Sequence, residues 1–158
     1  MSDADATIPL QGISIVPISE VHHPEWQALY RHYGEFYQSP ITNEALAATW
    51  AWLLDPHHPQ EGLIAIADSG AAVGLAHFRA FPKPMLGRDA GFLDDLFVDP
   101  GRRGLGVGRA LIAAIADLGR ARGWPLVRWI TASDNATARR LYDGVAKGTS
   151  WVTYDLKL

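Results

Sequence analysis

Residues 91–112 read GFLDDLFVDPGRRGLGVGRALI, and they contain the clearest structural pattern in the chain. It opens with an apolar run at 92–98, which is typical of a buried strand although it contains two carboxylates. A turn rich in glycine and arginine follows at 99–108. From Leu105 onward apolar residues recur at three- and four-residue steps, which predicts a helix that Gly123 can end. The stretch therefore predicts a strand that passes through a glycine loop into a helix.

The junction between the loop and the helix has the features of an anion site. The first N–H groups of a helix lack internal partners, and the helix dipole places partial positive charge there. Gly104, Gly106 and Gly108 have no Cβ, so a phosphate can approach the backbone closely. Three arginines add positive charge: Arg102, Arg103 and Arg109. A phosphate-bearing ligand is the expectation.

The spacing of these glycines excludes two familiar nucleotide sites. A Walker loop ends in Gly-Lys-Ser/Thr, whereas Gly108 is followed by Arg109 and Ala110. The dinucleotide fingerprint G-x-G-x-x-G fails as well, because its last position falls on Arg109 or on Leu111. The anion must therefore belong to a different class of ligand.

The segment resembles motif A of the GNAT superfamily of acyl-CoA N-acyltransferases. That motif, Gln/Arg-x-x-Gly-x-Gly/Ala between a strand and a helix, stands here as RGLGVG at 103–108. In the family the loop amides hold the pyrophosphate of coenzyme A, and the end of the preceding strand pairs with the pantetheine arm. The resemblance implies these cofactor-binding residues: Leu96, Phe97, Val98, Arg103, Gly104, Leu105, Gly106, Val107 and Gly108.

A second resemblance lies about 30 residues downstream. The family pattern N-x-x-A-x-x-L-Y stands here as Asn135, Ala138, Leu141 and Tyr142, with the first and last on one face of a predicted helix. In the family the tyrosine protonates the coenzyme A thiolate and the asparagine binds the pantetheine arm. Read singly, Asn135 is also a good helix N-cap and Tyr142 a packing aromatic. The resemblance covers about residues 62–156, although the family's Tyr-x-Lys-x-Gly-Phe continuation is displaced.

Two adjacent carboxylates lie inside the strand of motif A. Neighbouring strand residues point to opposite faces, which predicts that Asp94 lies with Leu96, and Asp95 with Leu93 and Phe97. In the di- and polyamine acetyltransferase branch, which is nearest in motif, a glutamate that acts on the amine falls on Asp94. We therefore predict Asp94 as the base, often acting through water, and Asp95 as a substrate residue. For either one, a structural bond to a loop or an arginine is the alternative.

The remaining pattern predicts an α/β domain of the α+β type, with a mixed, mostly antiparallel sheet flanked by helices. A strand–helix–strand unit in the second half indicates one parallel pair, and Asp68-Ser69-Gly70 indicates a hairpin. This layout resembles the GNAT fold in a single domain over 1–158, with 1–10 as a frayed tail. The predicted strands lie at 13–18, 63–67, 72–81, 92–98, 126–131 and 149–156. In the family the N-terminal helices line the acceptor site, which makes Glu35 and Tyr37 substrate candidates.

Composition narrows the function further. The chain has no cysteine, which excludes disulfides and a thiolate nucleophile and is compatible with the cytoplasm. No apolar run approaches a membrane span of about 18 residues, and the acidic N-terminus does not resemble a signal peptide. The histidine pairs lack metal-ligand spacing, and no basic stripe with interleaved aromatics suggests nucleic acid. We expect no metal, membrane or nucleic-acid partner.

The charges are unevenly distributed along the chain. Residues 1–100 carry 4 Lys/Arg against 13 Asp/Glu, whereas 101–158 carry 10 against 4. The basic half contains the predicted phosphate loop, and the acidic half would suit a cationic amine, although solvated surface charge explains it equally well. The resemblance implies transfer of an acetyl group from acetyl-CoA to a primary amine, on a small molecule or a protein lysine. A homodimer is the family's habit, and a non-catalytic coenzyme A-binding module is the alternative.

Overall fold

The structure, a computed structural model, describes residues 10–158, so nearly all of the predicted tail at 1–10 lies outside the described residues. Within that range the strands are β1 Ile13–Pro17, β2 Gln60–Ala67, β3 Ala72–Lys83, β4 Arg88–Val98 and β5 Val127–Arg128. The α-helices are α1 His23–Phe36, α2 Asn43–Leu54, α3 Val107–Ala121 and α4 Ala136–Asp143. Short 3-10 turns lie at 20–22, 84–86 and 100–102. No helix in this range is long and apolar enough to cross a bilayer.

The strands form one sheet in the order β1-β2-β3-β4-β5. The first three pairings are antiparallel, and β4 and β5 are parallel. Helix α3 makes the crossover between these two parallel strands. The predicted mixed, mostly antiparallel sheet flanked by helices is confirmed.

The sheet has a hydrophobic core on each face. On one face Trp26 and Leu29 of α1 and Leu46 of α2 pack with Leu75 and Phe97 of the sheet. On the other face the buried side of α3 packs with β2, β3 and β4, chiefly through Leu111, Ile115, Leu63, Phe78 and Leu93. Each large side chain buried in this way contributes about 1.5–3 kcal/mol of stability. The strand β4 therefore has its side chains divided between two cores.

The hairpin between β3 and β4 is longer than the sequence predicted. The predicted strands end at 81 and begin again at 92, yet pairing continues through Pro82 with Asp89 and Lys83 with Arg88. β2 begins at Gln60, which pairs with Arg79, so residues 80–83 have no strand neighbour on that side among residues 10–158. Pro82 can occupy such an edge because no partner strand there requires its missing N–H.

The predicted last strand at 149–156 is wrong for the chain as described. No helix or strand follows Asp143, and Trp151, Tyr154 and Leu156 are more than four-fifths exposed. The segment has a strand-like sequence but pairs with no strand among residues 10–158. β5 is also shorter than the predicted 126–131, because it pairs with β4 only at Val127 and Arg128.

Candidate active site

The end of β4, the glycine loop and the start of α3 border a groove of about 410 Å³. Gly104 and Gly106 have φ values of 80° and 83°, a left-handed conformation that glycine adopts at no steric cost. These two residues turn the chain so that α3 begins at Val107 rather than at the predicted Leu105. Nine of the ten predicted cofactor residues line the groove: Leu96, Phe97, Val98, Arg103, Gly104, Gly106, Val107, Gly108 and Asn135. Leu105 lies outside this lining, with its side chain about half exposed.

The first turn of α3 lines the groove, and no side chain among residues 10–158 caps its N–H groups. Its N-cap is Gly106, which has no side chain to accept a hydrogen bond from the first-turn N–H groups. Such N–H groups and the helix dipole favour an anion. Arg102 and Arg109 also line the groove, and within residues 10–158 neither forms an ion pair. At Gly108 the packing of α4 favours glycine, because an added Cβ would lie 3.0 Å from the Leu141 side chain.

Arg103 contacts two of the elements that border the groove. Its Nε donates to the carbonyl oxygen of Val98 at 3.2 Å. The guanidinium lies 4.5 Å from the centroid of the Phe36 ring and 5.6 Å from that of Phe97, distances at which a cation is attracted to an aromatic face. Arg103 therefore ties the end of β4 to the end of α1, in addition to bringing positive charge to the groove.

The parallel strands β4 and β5 separate along their length. They pair only at Gly91–Val127 and Phe92–Arg128, although β4 continues to Val98. The edge of β4 from 93 to 98 therefore has no strand partner on that side among residues 10–158. This separation leaves backbone donors and acceptors of β4 beside the groove without a strand partner in that range.

Asn135 and Tyr142 lie at the two ends of α4. The side chain of Asn135 caps the helix by accepting from the Ala138 N–H at 3.3 Å, and its Nδ2 lies 3.5 Å from Oγ1 of Thr131. The Tyr142 ring packs edge-on against Trp129, with centroids 5.4 Å apart. Burial, with a smaller effect of Tyr37, raises the pKa of Tyr142 to about 12. The hydroxyl is therefore protonated at neutral pH.

A second, smaller cavity of about 100 Å³ lies on the other side of Tyr142. It is lined by Tyr33, Tyr37, Leu93, Asp94, Leu96, Trp129, Ile130, Thr131, Ala132 and Tyr142. Three of these residues, Tyr37, Leu96 and Tyr142, also line the groove, so they form a common wall. Tyr37, a predicted substrate residue, lines this cavity. Glu35, the other candidate from α1, is exposed and lines neither cavity.

The two carboxylates of β4 lie on one face of the sheet, and the prediction of opposite faces is wrong. The register of β3 and β4 shifts at Asp94, because His77 pairs with Asp95 while Phe78 pairs with Leu93. Such a β-bulge adds one residue and resets the alternation of side chains. Leu93 consequently packs in the α3 core, whereas Asp95 lies with Phe97 on the α1 face.

Asp94 is the more exposed carboxylate and is held by two side chains. Arg79 Nε lies 3.2 and 3.1 Å from its two oxygens, and Gln60 Nε2 donates to Oδ2 at 3.2 Å. Its side chain remains 27 % exposed, and it lines the smaller cavity. Asp94 thus forms the bond to an arginine that a structural role would require, and it also lines the smaller cavity. Gln60 and Arg79 lie on other strands, so the sequence pattern around Asp94 did not indicate them as its partners.

Asp95 belongs to a buried network that the sequence reasoning missed. Trp26 Nε1 donates to His77 Nε2 at 2.9 Å, and His77 Nδ1 lies 2.8 Å from Asp95 Oδ2. An indole can only donate, so Nε2 must accept and the ring proton of His77 sits on Nδ1, where it donates to Asp95. The Tyr30 hydroxyl also donates to Oδ2 at 2.9 Å. His77 is thus a buried histidine with a partner at each ring nitrogen.

These donors keep Asp95 ionised. Burial alone would raise the pKa of Asp95, but the hydrogen bonds from His77 and Tyr30, together with the nearby Tyr33 hydroxyl, outweigh it and hold the pKa below its ordinary value. Burial and the Asp95 charge in turn raise the pKa of both tyrosines. In the sequence, the only sign of this network is that Trp26, Tyr30 and Tyr33 recur at helical spacing. That spacing indicates a helix face that packs in the core and does not by itself indicate hydrogen bonds. Among residues 10–158 no cluster of His, Asp and Glu side chains is arranged to hold a metal ion.

Comparisons with known proteins agree with this geometry. The model of the acetyltransferase (GNAT) family matches residues 26–144. A D-amino-acid N-acetyltransferase of Saccharomyces cerevisiae is 31% identical over 130 residues, which cover 82% of this chain and 81% of that protein. The di- and polyamine branch, suggested by the motif, is not singled out by these matches.

Solved structures of similar fold include enzymes of the same type. A ribosomal-protein-alanine N-acetyltransferase from Brucella melitensis biovar Abortus 2308 is 25% identical with a TM-score of 0.77, covering 92% of this chain and 99% of its own. The aminoglycoside N-acetyltransferase AAC(6')-Iy, solved with a bisubstrate analogue containing coenzyme A, shares the fold at 22% identity and a TM-score of 0.79, covering 92% of this chain and 97% of its own. The chain belongs to the GNAT acetyltransferase family and is an acyl-CoA-dependent N-acetyltransferase.

Proposed function

We propose that this enzyme transfers the acetyl group of acetyl-CoA to the primary amine of a small molecule, by direct attack in a ternary complex. The observation that carries the proposal is the wall shared by the two cavities, in which Tyr142 faces both. A thioester in the groove and an amine in the smaller cavity would meet at this side chain. Holding both reactants at one point supplies the proximity that a bimolecular acyl transfer needs.

The groove suits the cofactor in two separate parts. The first-turn amides of α3 and the guanidinium groups of Arg102 and Arg109 suit the pyrophosphate. The unpaired edge of β4 from 93 to 98 suits the amide-containing pantetheine arm, which can pair with it as an extra strand would. The acetyl thioester supplies the acyl group, and the Val98 N–H is the donor that we assign to its carbonyl oxygen.

The chemical step has one base and one acid. Asp94, acting directly or through water, takes a proton from the ammonium group, and the free amine nitrogen attacks the thioester carbon. The new C–N bond forms as the C–S bond breaks, and the sulfur leaves as a thiolate. Tyr142 donates its proton to that sulfur. The second proton that the attacking nitrogen loses as it becomes an amide is passed through water to Tyr142, which restores the hydroxyl, and Asp94 returns its proton to solvent. Its pKa of about 12 means that the hydroxyl carries a proton to donate at neutral pH.

The acceptor cavity favours a small cationic group. Its volume of about 100 Å³ accommodates only the end of an amine, and Asp94 contributes a carboxylate to its lining. The rings of Tyr33, Tyr37 and Trp129 add aromatic surface, which attracts ammonium ions. A diamine or polyamine fits the motif, whereas an amino acid fits the yeast relative, and a protein lysine also ends in such a group.

A thiol-release assay over an amine panel tests the proposal. Acetyl-CoA would be held at saturation and offered with diamines, polyamines, D- and L-amino acids and a lysine-containing peptide. We expect release with a subset of the small amines, and a mass increase of one acetyl group on the same amine. Binding of acetyl-CoA in calorimetry without turnover of any amine would instead favour the non-catalytic coenzyme A-binding module.

A further inference from the structure

Asp94, the carboxylate of the acceptor cavity, has a cation in direct contact with it. It is the only charged residue in that lining among residues 10–158. Arg79 Nε lies 3.1 and 3.2 Å from its two oxygens, and both side chains remain partly exposed, at 37% for Arg79 and 27% for Asp94. An amine that enters the cavity therefore meets an ion pair rather than an isolated negative charge.

Arg79 also has unused donors. Its Nε is the only one of its nitrogens that forms a hydrogen bond within residues 10–158, whereas a guanidinium has five N–H donors. The guanidinium carbon lies 4.8 Å from the centroid of the Phe92 ring, a contact that helps to hold the group beside Asp94. The two terminal nitrogens are thus available, and a carboxylate is a group that this planar fork binds with two hydrogen bonds.

A second arginine lies on the same face of the sheet. Arg79 pairs with Phe92 across β3 and β4, and Phe92 pairs with Arg128 across β4 and β5. Residues that pair across neighbouring strands share a face, and strands two apart in a sheet are separated by about 10 Å. Arg128 is half-buried and forms no ion pair within residues 10–158. Two arginines thus flank Phe92 near a single cavity-lining carboxylate.

Space for the rest of an acceptor adjoins the acceptor cavity. A cavity of about 580 Å³ shares four lining residues with it: Trp129, Ile130, Thr131 and Tyr142. Arg79 contacts one residue of each cavity, Asp94 of the smaller and Phe92 of the larger. Among residues 10–158 the charged residues that line the larger cavity are three basic and one acidic: Arg128, Arg139, Lys147 and Asp143. This excess of positive charge favours an acceptor that carries a negative group.

We infer that Arg79, supported by Arg128, binds a carboxylate of the acceptor, and that the preferred substrates are therefore α-amino acids. The inference rests on the proposed function, because it identifies the acceptor of that reaction. The ammonium group would contact Asp94, and the carboxylate would contact the terminal nitrogens of Arg79. In an α-amino acid these two groups are attached to the same carbon, which matches two protein side chains that contact each other.

The same arrangement disfavours a diamine or polyamine. Such a substrate can offer one ammonium group to Asp94, but a second one would approach two arginines, with no other carboxylate in the lining of the acceptor cavity among residues 10–158. Asp95 does not serve this purpose, because its Oδ2 accepts hydrogen bonds from His77 and Tyr30 and it does not line that cavity. Like charges that approach each other in a partly buried site repel more strongly than they do in water.

Matched pairs of acceptors that differ in the carboxylate test the inference on the wild-type enzyme. Alanine would be compared with alaninamide, phenylalanine with phenylalaninamide, and lysine with cadaverine, with both enantiomers of each amino acid. We expect kcat/KM to be at least roughly tenfold higher for the acid in its accepted enantiomer, because a site that binds a polar group rejects an analogue without it. Conversion to the amide lowers the pKa of the amine, which favours the amide, so amine basicity cannot produce this preference. Equal or lower kcat/KM for the acids would overturn the inference.

The variant Arg79→Gln tests which residue is responsible. The ratio of kcat/KM for an acid to that for its amide should fall roughly tenfold, mainly through a higher KM for the acid. Both values are measured on one preparation, so a loss of folded protein or a change at Asp94 affects them equally and cancels. Arg79→Lys keeps the charge but not the planar fork, and it should retain part of the preference. An unchanged ratio in Arg79→Gln would overturn the assignment.

Lys83→Gln is the matched control for that variant. Lys83 lies on the same strand and face as Arg79, four residues and roughly 13 Å away, and it contacts the Phe81 ring instead of Asp94. Its loss should leave the ratio unchanged, whereas Arg128→Gln should lower the ratio by less than Arg79→Gln does. An equal loss in Lys83→Gln would mean that general surface charge selects the acid and would contradict a carboxylate site at Arg79.

The inference and the proposed function fail separately. If amines without a carboxylate are acetylated as well as amino acids, the proposed function stands and the inference fails. If no amine is acetylated, the proposed function fails, and binding alone decides the inference. Ligand-observed NMR on protein saturated with coenzyme A should then show stronger binding of N-acetylalanine than of N-acetylalaninamide, and Arg79→Gln should abolish the difference. No binding of the acid, or equal binding of the two, would contradict the carboxylate site.

Discussion

The two cavities that meet at Tyr142 are built in different ways. The cofactor groove is formed mainly by one continuous stretch, 96–109, and its proposed anion site consists of backbone N–H groups at the start of α3. The acceptor cavity instead collects side chains from α1, β4, residues 129–132 and α4. The first depends on backbone conformation and the second on which side chains tertiary packing brings together. Substitutions should therefore affect binding of the two substrates independently.

The substitution Tyr142→Phe in the common wall should have the largest effect on activity. It removes the proposed acid, so kcat should fall roughly 10²- to 10³-fold, the typical contribution of a positioned general acid. The affinity for coenzyme A should change little because the ring remains in place. Rapid-mixing kinetics of thiol release would measure the loss.

Tyr37→Phe is the matched control for that variant. It also deletes a hydroxyl from the common wall, but we assign no proton transfer to Tyr37. Its kcat should stay within a few-fold of wild type. An equal loss in both variants would show that the effect comes from the shape or polarity of the wall and would remove the case for Tyr142 as the acid.

Asp94→Asn should act on the acceptor side alone. The change removes the proposed base and the carboxylate that faces the amine, so kcat/KM for the amine should fall roughly a hundredfold. Calorimetry should give the same coenzyme A affinity as wild type, since Asp94 does not line the groove. Asp89→Asn, an exposed carboxylate on the same strand, is the control and should be silent. A weaker coenzyme A affinity in Asp94→Asn would mean that the two cavities are not independent.

The difference between the cavities also explains what the sequence could predict. The strand, loop and helix of the groove are adjacent in the chain, so the spacing of Gly104 and Gly106 was enough to locate them. The acceptor cavity and the buried network of Asp95 depend on pairings across 15 to 65 residues, such as Arg79 with Asp94 and Tyr30 with Asp95. The β-bulge at Asp94 is likewise a property of two strands together. A pattern in one strand carries no information about the register of its partner, so Asp94 and Asp95 were assigned to opposite faces.

Asp95→Asn should lower stability more than Asp94→Asn does. The asparagine cannot satisfy the donors from His77 and Tyr30 as the carboxylate does, and a lost buried charged hydrogen bond costs about 2 kcal/mol. Denaturant unfolding at pH 7 would measure this loss. Because Asp95 is not in the lining of the acceptor cavity, the KM of the folded variant should change less than that of Asp94→Asn.

The same carboxylate predicts how the stability difference depends on pH. The pKa of Asp95 is lower in the folded chain than its ordinary value, so its contribution is present above the unfolded value of about 3.9. That contribution is lost as the pH falls through the lower folded value. The gap in unfolding free energy between wild type and Asp95→Asn should therefore be widest near neutral pH and narrow below about pH 4. A gap that widens in acid would show that the network does not favour the ionised form.

The smallest effect is expected for Gly104→Ala, and it isolates the backbone contribution to the groove. Gly104 has φ of 80° with nothing within 4 Å of an added Cβ, so the cost is left-handed strain of about 1 kcal/mol rather than a clash. Gly70→Ala has the same kind of strain, at φ of 87° with equally open space, but lies in the β2–β3 hairpin. Both variants should lose similar stability. Only Gly104→Ala should weaken coenzyme A binding, by about fivefold if the strain rotates the loop amides away from the pyrophosphate. Equal coenzyme A affinity in the two variants would mean that arginine charge, and not the aim of the loop amides, holds the cofactor.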